Sequence, residues 1–106
     1  MNIINDQKTN RFLILFSLYI ASNADYEHAI NLELLAQNRG LGNAALRKIF
    51  RYLVEERFIE PREEGGTEFH AVLTHKGVKA VEEVFLDNQK QTYYFPAYKE
   101  MKNKGK

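Results

Sequence analysis

The chain has 106 residues, 44% hydrophobic and 27% charged, a balance that fits one soluble globular domain with a modest core and excludes a disordered chain. It has no cysteine, which excludes a disulfide framework and any thiolate metal site. A net charge of +1 excludes a molecule-wide attraction to nucleic acid, so any affinity for phosphate must come from local patches.

The segment MNIINDQKTNR is polar and mixed in charge, with no cleavage-site pattern after it. The longest apolar run, Phe12 to Ala21, is interrupted by Ser17 and is about half the ~20 residues a membrane span needs. No leader and no anchor are expected, and the chain reads as cytoplasmic. Within this run Phe12, Leu15, Phe16 and Tyr19 follow helical spacing, with Thr9 or Asn10 as the expected cap. Leu13, Ile14 and Leu18 widen the stripe, so this helix is either central to the core or shared with a second chain. The polar stretch SNADYE ends it. His28 to Ile30 is expected to be a short edge strand, and Asn31 to cap a second helix, LELLAQN, with Leu32, Leu35 and Ala36 inside.

Gly40 is suited to the left-handed conformation that stops a helix, and Leu41 to packing across the turn. Gly42 or Asn43 then opens a third helix. Leu46, Ile49, Phe50, Leu53 and Val54 give it the clearest helical period in the chain. Two strands, FIEPRE and EFHAVLT, are predicted around a Gly65-Gly66 hairpin turn, with Pro61 at an edge. Thr74 caps a fourth helix whose inner face is Val78, Val81, Val84 and Phe85. The predicted class is therefore mainly α with a small antiparallel hairpin, α+β, in the order helix, strand, helix, helix, strand, strand, helix. Residues 1–88 form the domain, and residues 89–106 an aromatic, then lysine-rich tail.

This order resembles a winged helix-turn-helix domain, and two local stretches carry the resemblance. LRKIFRYLVEERFIEP is similar to the recognition helix and its exit into the wing, with Leu53, Phe58 and Ile59 at matching positions. VLTHKG, Val72 to Gly77, resembles the "LT-x-x-G" opening of the helix after the wing in MarR-like and PadR-like bacterial regulators. The resemblance covers about residues 9–88 and departs at Arg57, where such regulators carry glycine. That turn needs another geometry or a strained arginine. The resemblance implies DNA binding with the helix at about residues 43–57 in the major groove.

The residues of that helix agree with this. At about 100° per residue, Ala44, Lys48, Arg51 and Glu55 lie opposite the apolar stripe, with Arg47 on one shoulder and Tyr52 on the other. Asn43 can bond an adenine edge or a phosphate, Arg47 a guanine edge, and Lys48 or Arg51 the backbone, while Ala44 keeps the helix slim. A solvated helix face also carries charges. Yet three cations and no acid occupy Asn43 to Arg51, and the acids wait until Glu55 and Glu56, the reverse of what the helix dipole selects. The site expected for double-stranded DNA is Asn43, Ala44, Arg47, Lys48 and Arg51.

The wing argues differently, because Glu60, Glu63, Glu64 and Glu68 outnumber Arg62 there. The alternative is a winged-helix module that docks a protein and leaves DNA alone. His28, His70 and His75 have no accompanying cluster, so neither metal nor other cofactor is expected. No nucleophile–base pattern or phosphate loop is present, and the expectation is a non-enzyme. Tyr93 to Tyr98 either folds back on its own core or joins the helix at Phe12 to Ile20 in a homodimer interface. The second reading is favoured, since a two-fold dimer sets two recognition helices about 34 Å apart. The tail from Tyr98 to Lys106, four lysines against one glutamate, can add phosphate contacts or remain a solvated end.

Overall fold

A 19-residue helix, α1 (Ile3–Ala21), is the centre of the molecule in a computed structural model that describes residues 3–62, 68–86, 90–99 and 101. It packs against α2 (Leu32–Asn38), α3 (Asn43–Glu55), α4 (His75–Leu86) and the strand β3 (His70–Leu73). Phe12, Ile14, Leu15 and Leu18 are fully buried, so the wide apolar stripe of α1 is explained by its own chain's core. None of the described helices is long and apolar enough to cross a membrane.

The helix starts six residues before the expected cap. Thr9 is buried inside it, and neither Thr9 nor Asn10 is a cap. The extra turns contain no proline or glycine and carry Asp6 near the start, where the dipole favours an acid. They lack an apolar stripe because they run past the core, and so periodicity does not reveal them.

Two short strands, β1 (Ile30–Asn31) and β2 (Ile59–Pro61), flank β3 in an antiparallel sheet of order β1-β3-β2. Ile30 pairs with Ala71 on one side, and Pro61 pairs with the same Ala71 on the other. Pro61 thus lies on an edge strand, where its missing N–H removes nothing from the sheet interior. β1 starts two residues later than expected and ends one later, at Asn31, which also caps α2, its Oδ1 accepting from the Glu33 N–H at 2.9 Å. The expected Gly65-Gly66 turn lies outside the described residues.

Three helices end in the same way. At each C-terminus a left-handed residue lets two N–H groups reach back to orphan carbonyls in a Schellman pattern. After α1 two residues are left-handed, Asn23 (φ 55°) and Ala24 (φ 58°), with Ala24 donating to the Tyr19 carbonyl at 2.8 Å. After α2 it is Gly40 (φ 73°), with Leu41 donating to Ala36 at 2.9 Å. After α3 it is Arg57 (φ 65°), with Phe58 donating to Leu53 at 2.9 Å. Position 57 is therefore an arginine held in the strained left-handed conformation. A left-handed L-residue costs about 1–2 kcal/mol, and glycine returns part of that through unfolded-state entropy. Arg57→Gly is accordingly expected to raise the unfolding free energy by about 0.5–1 kcal/mol, read by denaturant titration.

This turn aims two carbonyls at the start of α4. The Thr74 N–H donates to the Phe58 carbonyl at 3.1 Å, and the Thr74 hydroxyl donates to the Arg57 carbonyl. The same hydroxyl accepts from the Gly77 N–H at 3.0 Å, which caps the helix. Gly77 is buried, and a Cβ there would fall inside van der Waals contact with the Phe58 carbonyl oxygen. The Thr-x-x-Gly spacing thus has a local cause: threonine caps, and glycine lets α4 close on β2.

The C-terminal aromatic stretch closes the other side. Thr92 and Phe95 bond each other, N–H to carbonyl at 2.8 Å and N–H to hydroxyl at 3.1 Å, in a tight turn. Phe95 enters the core with its ring 5.2 Å from that of Phe12 and 5.9 Å from that of Phe58. Pro96, Ala97 and Met101 are buried with it, while Tyr93 stays exposed. Along α1, Tyr19 donates to Glu82 at 2.8 Å and the ring of Phe16 meets that of Phe85, so α1 and α4 run in opposite senses.

Candidate nucleic-acid interface

α3 buries Leu46, Ile49 and Leu53, and half-buries Phe50 and Val54, at the predicted positions. This fixes what the opposite face carries. Asn43, Ala44, Arg47, Lys48 and Arg51 are all exposed on the one helix. Gly42 is its N-cap, with extended backbone and no side-chain bond to the first turn. The first-turn N–H groups are therefore not occupied by a capping side chain, and no acid lies in that turn.

The cations differ in how they are held. The Arg47 Nη2 meets the Glu68 Oε1 at 3.0 Å, with both side chains more than half exposed (54% and 63%). Its guanidinium also lies 5.9 Å from the Phe69 ring centroid, which draws it toward the base of β3. Lys48 and Arg51 form no ion pair with a described residue. Sequence pattern alone does not find the Arg47–Glu68 pair, because the two residues meet only once β3 is placed beside α3. Glu68 is nonetheless one of the acids by which the hairpin reads as negative. Glu60 is exposed on β2 with Arg62 3.8 Å away, while Glu63 and Glu64 lie outside the described residues.

The other flank of α3 faces the early turns of α1. Gln7, Asn10 and Arg11 line a groove of about 180 Å³ together with Ala45, Lys48 and Ile49. The Arg11 guanidinium lies over the Tyr52 ring, 3.9 Å from its centroid. Desolvation raises the Tyr52 phenol above its ordinary value; the Glu56 carboxylate adds to the shift and Arg11 opposes it. The ring therefore remains a neutral platform at physiological pH. Arg11 is absent from the site read in sequence because it meets Tyr52 and Lys48 only once α1 is packed beside α3.

The histidines are separated by role. His75 bonds the Tyr26 hydroxyl through Nδ1 at 3.0 Å, His28 is exposed, and His70 lies in β3. Among the described residues no group of three or more His, Cys, Asp or Glu side chains could hold a metal ion. Comparison with protein-family models, with curated proteins and with solved structures finds no match to this chain.

Proposed function

We propose that the chain is a winged helix-turn-helix domain that binds double-stranded DNA in a sequence-specific way as a small transcriptional regulator. α2, the Gly40 turn and α3 form the helix-turn-helix, α3 is the recognition helix, and β2 and β3 form the wing. The observation that carries this reading is the exposed face of α3, which bears Asn43, Ala44, Arg47, Lys48 and Arg51 and no acid before Glu55. A helix about 10–12 Å across fits the major groove, about 12 Å wide, with these side chains toward base edges and phosphates. No catalysis and no cofactor are part of the proposal.

The regulator is further proposed to act as a homodimer. Since the α1 stripe and most of the aromatic stretch serve the chain's own core, pairing would use apolar side chains left outside near them. These are Ile20 on α1 (61% exposed), Leu86 on α4 (87%) and Tyr93 (85%). Selection from random duplex at two salt concentrations tests both parts. Enriched duplexes carrying two inverted half-sites about 34 Å apart support the dimer, and no enrichment at either salt opposes DNA binding altogether.

A second reading, a module that docks a basic protein surface, is favoured by Glu60 and by Glu68, which holds Arg47. Glu68→Gln separates the two. For a DNA-binding domain it frees Arg47 and removes a negative charge beside the duplex, so the dissociation constant should fall about threefold in a fluorescence titration. For a protein-docking module it leaves any DNA signal unchanged.

A further inference from the structure

A recognition helix that fills the major groove brings a phosphate backbone against each of its flanks. In this protein the flanks are opposite in character. On the hairpin side α3 is bordered by Glu68, which already holds Arg47, and Glu60 is exposed on β2. On the α1 side it is bordered by the groove of Gln7, Asn10, Arg11 and Lys48, which no carboxylate lines. From this asymmetry we infer that the groove between α1 and α3 is a seat for a DNA backbone phosphate, and that the early turns of α1 take the clamping role an acidic wing cannot fill. The inference rests on the DNA-binding reading above.

The chemistry of the groove suits a phosphodiester. Lys48 supplies a mobile ammonium from one wall, and Arg11 a guanidinium from the other. The Gln7 and Asn10 amides offer N–H donors between them, a neutral set that binds an anion without excess charge. Arg11 is fixed before any ligand arrives, because it lies 3.9 Å over the Tyr52 ring, so little side-chain entropy is given up on binding. Ala45 keeps the α3 wall low, and the buried Ile49 forms an apolar floor. A volume of about 180 Å³ leaves room for one phosphate group with part of its deoxyribose. Lys48 would then be shared between the groove and the outer face of α3, which ties the backbone contact to the register in which α3 reads bases.

The test changes charge without changing shape. The double variant Gln7→Glu, Asn10→Asp is isosteric and sets two carboxylates beside Arg11 and Lys48. Its binding to a selected duplex is compared with that of the parent, of Arg51→Ala, and of Lys79→Glu, which makes the same net change on the exposed side of α4. Thermal unfolding of each variant confirms that all are folded. The inference predicts at least a tenfold loss for the groove variant and a salt slope shallower by about one, with Lys79→Glu close to the parent. If the groove variant binds like the parent while Arg51→Ala is weakened, the phosphate seat is wrong and the DNA-binding reading stands. If Lys79→Glu is weakened as much as the groove variant, overall charge is responsible and the seat is again wrong. If the parent itself shows no salt-sensitive binding, both fall together.

Discussion

Gly77→Ala is expected to destabilise the domain by about 3 kcal/mol, although it adds only one methyl group. Alanine is normally the better helix former by up to about 1 kcal/mol, so propensity alone predicts the opposite sign. The close approach to Phe58 reverses it. A Cβ at position 77 would collide with the Phe58 carbonyl oxygen and sit 3.1 Å from the Leu73 Cδ1. Leu73 can rotate away, but the carbonyl cannot, because the Thr74 N–H holds it and Phe58 is fully buried beneath Tyr94 and Phe95. Relief requires moving the start of α4 away from β2, and that opens the packing of Val78 and Val81. For a domain of this length the cost corresponds to a melting temperature lower by roughly 10–20 °C. A calorimetric midpoint within about 2 °C of the parent would show that α4 shifts without penalty and that the Thr74–Gly77 junction is not a fixed point of the fold.

Lys48→Ala combined with Arg51→Ala is expected to weaken duplex binding about 100-fold at low salt, with folding unchanged. Both side chains are exposed and form no ion pair with a described residue, so removing them breaks no described ion pair within the protein. Removing one phosphate-binding cation should lower the slope of log K against log salt by about 0.9, so the pair should lower it by close to two. Arg47→Ala should cost less in affinity, because its gain on DNA is measured against the Glu68 pair it leaves. Its effect belongs instead to base preference, as expected of a side chain that reads a guanine edge. Fluorescence titration at three salt concentrations distinguishes these patterns. Equal slopes for the parent and the double variant would remove Lys48 and Arg51 from the interface.

The legible parts of this fold are those set by local chemistry. Leu46, Ile49 and Leu53 repeat at helical spacing, and their burial fixes which residues α3 exposes. Asn31 and Thr74 cap the helices that follow them, and Gly40 takes the left-handed angle that ends α2. Each follows from a residue and its immediate neighbours. The early turns of α1, Gln7 among them, are hidden in sequence because they carry no apolar stripe, and the part Asn10 and Arg11 take in the groove depends on how α1 packs beside α3. The Arg47–Glu68 pair joins residues 21 apart and depends on how β3 lies beside α3. The aromatic stretch has two destinations open to it in sequence, and the tight turn from Thr92 to Phe95 decides in favour of the chain's own core for Phe95. Of the two outcomes open at Arg57 in sequence, another geometry or a strained arginine, the left-handed φ of 65° is the second.

The acidic hairpin and the cationic face of α3 pull the functional reading in different directions, and geometry relates them. Glu68 restrains the cation nearest the hairpin, while Lys48 and Arg51 remain available farther from it. Such a surface would bind DNA through α3 and its α1 flank, with modest total charge and a moderate salt response. The most direct measurement is therefore the affinity of the unmodified chain for its best selected duplex, titrated from low to physiological salt. The proposal predicts saturable binding whose log K falls linearly with log salt, at a slope of about −3 to −4, for Lys48, Arg51, the groove and one further phosphate contact. Binding that is absent throughout, or that does not change with salt, would contradict it.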